Sequence, residues 1–441
     1  MARAQPAMPV GDPGRTVAFA DGRAVSLGGF LRHVHGVAAR LPEGRFAVNL
    51  CEDRYRFLVA LCATALRGQA TLLPPSRAPA AVDEVLAGHP GAWSLGDTEL
   101  GLPPPDYLCL PDELPEADGG PLQLAGDALA VVGFTSGSTG RPQAHAKTWG
   151  SFRTSTAQNL DALRDLWGAG ETPTVIATVP PQHMYGMELS VMLPLLGGTA
   201  VHAARPLFPA DIARALHEAA GPRLLVTTPV HLRALLAAGQ SLPPLAGIVS
   251  ATAPLSPEVA AEAEARFGCE VRELFGSTET CIFARRRTAT EPAWSPFAGI
   301  RLHPRPDGTL VEAPHLAAPT ALADLVELDA TGRFLLRGRN ADLLEIAGKR
   351  ASLSDLTRRL LAIPGVEDGV VVQLDEDGAA DGVRRIAALA VAPDLEPGRI
   401  LAALRVGLDP VFLPRPLRLV QALPRNETGK LPRAAVLSLL R

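Results

Sequence analysis

The chain has 441 residues, 47% hydrophobic and 20% charged, with a formal net charge of −4. That length predicts two or three domains around a large core. The charge balance gives no reason to expect nucleic acid or an anionic membrane surface as partner, and no long apolar run suggests a membrane span. Residues 1–15 lack the apolar core of a signal peptide. The five cysteines, Cys51, Cys62, Cys109, Cys269 and Cys281, are scattered, odd in number and form no CxxC. Reduced, mostly buried thiols in a cytoplasmic protein follow, not a disulfide framework or a zinc site.

In chain order, residues 24–40 read as an amphipathic helix with Ser26 as N-cap. Residues 46–50 form a short apolar strand, 53–68 a helix, and 70–73 a strand stopped by Pro74-Pro75. This strand–helix–strand unit implies a parallel crossover. Residues 100–122, rich in Pro, Asp, Glu and Gly, read as surface loop. The apolar run 128–133 reads as a buried strand. Helices are then predicted over 148–166, 187–196, 209–220, 229–238 and 256–267. They alternate with strands over 174–179, 199–203, 224–228, 247–250 and 271–275. Repeated βα units mean parallel-rich sheets covered by helices, an α/β fold, with ligands gathered at the carboxyl ends of strands. Residues 310–334 change to short strands and turns, a β-rich subdomain. From 339 the pattern resets, with helices over 353–362 and 398–406 and strands over 369–374 and 385–391.

Five stretches carry chemistry. The first is Phe134-Thr135-Ser136-Gly137-Ser138-Thr139-Gly140-Arg141-Pro142. Its glycines let backbone N–H groups converge, and its four hydroxyls can donate to an anionic oxygen, so a strand running into it suits phosphate. The spacing is neither GxxxxGK[ST] nor GxGxxG, and on composition alone such a loop is most often a polar turn. The second is Leu274-Phe275-Gly276-Ser277-Thr278-Glu279-Thr280, read as a strand ending at Phe275 and a sharp turn at Gly276. An aromatic there can stack on a flat base, and a Glu can hold Mg²⁺ by one oxygen. The third, Gln182-His183-Met184-Tyr185-Gly186, follows a strand end and could wall a pocket. In the fourth, the Asp324 carboxylate can accept both ribose hydroxyls, with an Arg reinforcing the site. The fifth, Pro424-Arg425-Asn426-Glu427-Thr428-Gly429-Lys430-Leu431-Pro432-Arg433, would by itself read as a solvated tail.

The first loop closely resembles the phosphate-binding signature of the adenylate-forming enzymes, the acyl- and aryl-CoA synthetases and their relatives. The other stretches follow in the family's order, over nearly the whole chain. The resemblance implies ATP, Mg²⁺ and a carboxylic acid as ligands. It implies that Thr135, Ser136, Gly137, Ser138, Thr139 and Gly140 grip the β- and γ-phosphates. Phe275 and Gly276 then lie at adenine with Ala251 and Thr252, whose stretch Ser250–Leu255 is similar to the family's Gly-Gly-Ala-Pro-Leu segment. Thr278 meets the α-phosphate, Glu279 holds Mg²⁺, and Asp324 with Arg339 takes the ribose. His183, Met184, Tyr185 and Gly186 flank the acid, and the lack of an Asp there disfavours an α-amino acid. Lys430 is the implied catalytic lysine, a mobile point charge where negative charge accumulates. Ala341 falls at the implied hinge between a large domain, 1–338, and a small mobile α+β domain, 339–441. Gly348 and Lys349 fall on the loop that enters for the thiol step.

Three positions depart from the family pattern. Leu322-Ala323 replaces Thr-Gly before Asp324, Ala341 replaces an Asp or Lys, and Gln143 replaces a lysine that would meet pyrophosphate, with Arg141 or Lys147 as candidate substitutes. The implied reaction makes an acyl-AMP and then a thioester on coenzyme A or on the phosphopantetheine of an acyl carrier protein. The chain further resembles the stand-alone ligases of aryl polyene pigment clusters, which load aryl acids such as 4-hydroxybenzoate or hydroxycinnamate. An acyl-AMP ligase without thioester formation and a non-catalytic adenylate-binding paralogue remain open alternatives.

Overall fold

Alternation along the strands decides the layering. Side chains two apart share a sheet face, and here both faces are apolar. The structure, a computed structural model, describes residues 8–136, 142–339, 343–346, 349–374, 386–426, 429 and 431–440. The chain divides into two compact units, residues 1–301 with 312–320, and residues 302–311 with 321–441.

In the first unit, two sheets are formed by the described residues. The larger has nine strands, with a parallel centre of Val271–Ser277, Gly247–Ser250, Arg223–Thr227, Thr174–Ala177, Ala200–His202 and Thr16–Ala20, and antiparallel edges. The smaller has six, in the order Tyr107–Cys109, Trp93–Gly96, Phe46–Asn49, Ala70–Leu73, Leu129–Ser136, Pro142–Thr148, parallel except for the last pair. Val175, Ala177, Leu224, Val226 and Val249 face a central layer of helices that includes Leu27–Ala38, Arg54–Leu66 and Trp149–Leu163. Ile176, Leu225 and Ile248 face the opposite way, onto Pro209–Glu218, Pro229–Ala237 and Pro257–Phe267. Val48, Leu72 and Val132 of the smaller sheet pack on Pro79–Ala87. The result is a helix–sheet–helix–sheet–helix stack, the α/β class the sequence predicts.

Most predicted elements are present, and their ends follow local chemistry. Ser26 caps its helix by accepting from the Gly29 N–H, and Ser256 does the same from Val259. Gly268 closes that second helix at φ 66°, the left-handed conformation glycine adopts without strain. Two readings are corrected, and one segment left unassigned by the sequence gains an element. Residues 100–122 are not loop throughout, since Tyr107–Cys109 forms the edge strand of the smaller sheet. The segment after the phosphate turn is a strand, Pro142–Thr148, before the helix begins. The predicted helix 187–196 starts at Met184 and contains a π-helical stretch, Met187–Met192. Pro194 has no N–H for the Ser190 carbonyl, so the regular i to i−4 ladder fails there.

The second unit holds the antiparallel pair Asp324–Leu328 and Phe334–Arg339, the hairpin Leu343–Ile346 with Lys349–Ser352, and the sheet Asp368–Gln373, Ile386–Val391, Leu417–Leu419. Val371, Ile386, Ala388 and Ala390 face Leu353–Leu361 and Pro397–Gly407, while Val372, Ala387 and Leu389 face Arg433–Leu440. No helix among the described residues is long and apolar enough to cross a membrane.

Candidate active site

The carboxyl ends of the strands in the first unit bring the predicted segments together. Leu129–Ser136 and Pro142–Thr148 form an antiparallel hairpin whose turn carries the predicted phosphate grip. Gly137, Ser138, Thr139, Gly140 and Arg141 lie outside the described residues, and of Ser136 only the backbone is described. Thr135 is half-buried, and its Oγ1 is hydrogen-bonded at 3.0 Å to His145 Nε2. The same Nε2 lies 3.7 Å from Glu279 Oε1. Burial pulls the His145 imidazole below its ordinary range, against the opposing pull of Glu279.

Val271–Ser277 does not end at Phe275. It continues through an irregularity at Gly276 and pairs with Cys281–Arg286. Gly276 is needed for close approach, because a Cβ there would sit 2.2 Å from the Cys281 carbonyl oxygen. The turn strain falls on Cys281, at φ 57°. Within the loop, Ser277 and Thr280 cap each other: Ser277 N–H donates to Thr280 Oγ1, and Thr280 N–H donates to Ser277 Oγ. Thr278 lies over Gly133, where a Cβ would come 3.0 Å from Thr278 Cγ2 and 3.5 Å from Met184 Cε. One glycine thus lets this hairpin, the Glu279 loop and the Met184–Gly186 helix meet. Phe275 stands against Phe283 and Trp294, with ring centroids 5.3 and 5.2 Å away.

Among the residues predicted to flank the acid, Met184 and Tyr185 are buried. The Tyr185 hydroxyl donates to backbone carbonyls at two strand ends, Val249 at 2.9 Å and Thr227 at 3.2 Å. Burial pushes its phenol well above the ordinary range. Gly186 is required by packing, since a Cβ would sit 2.1 Å from the Pro180 carbonyl oxygen. His183 is half-buried and precedes the helix, its carbonyl accepting from the Met187 N–H. Ala251 is buried, and Thr252 takes φ 81°, strained for a β-branched residue. The buried oxygens Ser250 Oγ, Thr252 Oγ1 and Gln182 Oε1 have no hydrogen-bond partner among the described residues. Buried polar atoms are normally satisfied, so this edge suits a polar ligand such as a nucleotide.

Among the described residues no cluster of three or more His, Cys, Asp or Glu could hold a metal ion. The Glu279 side chain is 31% exposed. A single accessible carboxylate fits Mg²⁺, which arrives with phosphates and keeps most of its ligands from them and water.

In the second unit, Asp324 and Arg339 are register partners at one end of an antiparallel pair. The Asp324 carbonyl accepts from Thr309 Oγ1. The side chains of Arg339 and Lys349 are not described, and Ala341, Gly348 and Lys430 lie outside the described residues. The C-terminal signature is anchored by Arg425, which bonds both Asp368 oxygens, at 2.7 and 2.8 Å, and the Gly429 carbonyl at 2.7 Å.

Several residues of this site escape a reading by motif. Lys147 is buried at 4% exposure, and its Nζ donates to the Glu279 carbonyl at 2.5 Å. It therefore does not stand in the pyrophosphate grip as a substitute for the loop lysine. Glu188, on the π-helical stretch, accepts from the Ile282 N–H at 2.8 Å and from Asn159 at 3.2 Å. Burial pushes its carboxyl up to about 7, against the Ile282 N–H and Lys147, which lower it. His315 is bonded at 2.7 Å to the Thr280 carbonyl. The alternation Gln143, His145, Lys147 was the available signal, since it has the period of a strand.

Comparison with known proteins agrees with this geometry. Residues 34–306 match the family described as AMP-binding enzyme. A 4-coumarate–CoA ligase of Rhodobacter capsulatus is 32% identical over 319 residues, covering 70% of this chain and 76% of that protein. A 3-hydroxybenzoate–CoA/4-hydroxybenzoate–CoA ligase of Thauera aromatica is 27% identical over 353 residues, 70% of this chain and 66% of that one. The O-succinylbenzoate coenzyme A synthetase of Bacillus subtilis, solved in complex with AMP, superimposes with a TM-score of 0.80 at 18% identity, covering 96% and 95% of the two chains. The chain belongs to the AMP-binding enzyme family, within the adenylate-forming superfamily. It is an AMP-forming acid–thiol ligase that uses ATP.

Proposed function

We propose that this enzyme activates an aryl carboxylic acid of the hydroxybenzoate or hydroxycinnamate type and passes it to a pantetheine thiol. The observation that carries the proposal is the meeting of Thr135, Thr278 and Glu279 at the strand ends beside the Met184–Gly186 helix. Names of relatives that act on coumarate and hydroxybenzoate support the aryl acid. In the first step a carboxylate oxygen attacks the α-phosphorus of ATP, the α–β bridging bond breaks, and pyrophosphate leaves. The barrier falls mainly through positioning and charge neutralisation. Thr278 orients the α-phosphate, the Thr135–Gly140 turn holds the leaving phosphates, and Lys430 offsets charge between acid and phosphate. Glu279 would hold Mg²⁺, which supplies further neutralisation at the phosphates. Asp324 and Arg339 take the ribose, and Phe275, Ala251 and Thr252 border the adenine.

In the second step the small domain, 339–441, turns about Ala341, and Gly348 and Lys349 border the entering thiol. The sulfur attacks the acyl carbonyl, the acyl–oxygen bond breaks, and AMP leaves. Relatives named as CoA ligases support coenzyme A as acceptor, and the aryl polyene resemblance supports an acyl carrier protein. A panel of carboxylic acids in ATP–pyrophosphate exchange, repeated with coenzyme A and with a phosphopantetheinylated carrier, tests both halves. Exchange with aryl acids and thiol-dependent AMP release are expected. Activity on fatty acids alone would sink the aryl assignment, and AMP release indifferent to thiol would reduce the enzyme to an acyl-AMP ligase.

A further inference from the structure

The Glu279 loop is held from outside itself, by side chains distant in sequence. Lys147 donates to the Glu279 carbonyl, His315 is bonded to the Thr280 carbonyl, and Glu188 accepts the Ile282 N–H. Lys147 is the one of these on the return strand of the phosphate hairpin. A lysine at 4% exposure has left nearly all its hydration, and it gives a charged donor to the Glu279 carbonyl while also bonding the Cys281 side chain. Such a bond is shorter and stronger than a neutral one. It ties the strand Pro142–Thr148 to the residue whose carboxylate lies 3.7 Å from His145 Nε2 on that same strand. The ionisable groups that feel the Lys147 charge come from other elements as well as its own: Glu188 on the π-helical stretch, Cys281 beyond the loop, His315, and His145 on the same strand.

We propose that Lys147 is a positioning residue that fixes the Glu279 backbone, so that the carboxylate meets the metal of Mg·ATP in register with the phosphate hairpin. This rests on the assignment of Glu279 to Mg²⁺ made above. Lysine at this place does not touch the nucleotide. Its effect is confined to the part of ATP binding that depends on the metal.

The test is calorimetric titration of the full-length protein with ATP, in Mg²⁺ and in chelator, with AMP and a melting curve as controls. In the wild type Mg²⁺ tightens ATP binding. Lys147→Met keeps the length and removes the donor, and it should abolish about tenfold or more of that gain, the worth of one charged hydrogen bond. Affinity for metal-free ATP and for AMP should stay within about twofold, because neither engages Glu279. Glu279→Gln should lose the same gain, and the double variant should be no worse than Glu279→Gln, because the two residues act on one interaction. Lys147→Arg, which keeps a charged donor, should recover part of it. A magnesium-dependent gain that survives Lys147→Met, or losses that add in the double variant, would overturn the proposal. So would equal losses for AMP and metal-free ATP with a lowered melting temperature, the mark of a purely structural lysine. A wild type indifferent to Mg²⁺, or unaffected by Glu279→Gln, would overturn the Glu279 assignment and this proposal with it.

Discussion

At the residue scale, two glycines and one histidine show how tightly the site is specified. Gly133 is not strained and is not at a turn, yet its missing Cβ is what lets Thr278 lie 3.0 Å from where that carbon would be. Gly133→Ala should push Thr278 aside by a few tenths of an ångström and slow adenylate formation by about tenfold or more, with little change in melting temperature. Gly276 likewise exists for the Cys281 carbonyl and not for a sharp turn. His231 is hydrogen-bonded through Nδ1 to Thr178 and Thr228, and burial lowers its pKa to about 4. The neutral ring is the form that the fold accepts. Its contribution is fully present above the unfolded value near 6.5 and is lost as pH falls toward 4, up to about 3 kcal/mol. His231→Asn can accept the same bonds without titrating. Its denaturant-unfolding free energy should fall less steeply than the wild type's between those two pH values.

At the scale of elements, strand ends and the helix that follows them are held by one buried cation. Arg54 is fully buried at the start of its helix. Its guanidinium donates to the carbonyls of Ala177, Val179, His202 and Ala204 and to Ser190 Oγ. These acceptors sit just where two strands of the nine-stranded sheet stop and where the π-helical stretch widens. Arg54→Met fills the volume but strands several buried acceptors, each worth about 1–3 kcal/mol when unsatisfied. We expect a loss of at least about 3 kcal/mol, read as a lower urea midpoint, together with weaker acid binding as the Met184–Gly186 helix loosens. The elements themselves were largely legible, because βα alternation, N-caps such as Ser26 and Ser256, and proline stops are local signals. Among the missed ones are strands whose reason is a neighbour: Tyr107–Cys109 exists because Trp93–Gly96, itself unread, offers it an edge, and Pro142–Thr148 because Leu129–Ser136 does.

At the scale of the whole molecule, the residues proposed for catalysis come from segments far apart in the chain. The phosphate hairpin and the Glu279 loop belong to the first unit, and Lys430 follows a turn that Arg425 ties to Asp368 in the second. Lys430→Ala should therefore slow acyl-AMP formation by about a hundredfold or more, the scale of losing one preorganised charge at the reacting group. The same variant should keep AMP affinity, and it should still convert supplied acyl-AMP to thioester at a near-normal rate, since the proposed thiol step does not use this lysine. Equal losses in both half-reactions would show that Lys430 serves the fold instead.

The family, the order of its signature segments and the α/β layering were determined by the sequence alone. Each rests on residue types at short spacing: hydroxyls and glycines in one loop, a Thr-Glu pair after a strand, a Gly-Lys near the C-terminus, and apolar periodicity. The tertiary structure alone decided what holds those segments in place. Lys147 and Glu279 are 132 positions apart, Arg54 and Ser190 136, and Glu188 and Ile282 94. A buried charge finds its partner by where the sheets bring the chain, and no local spacing records that distance.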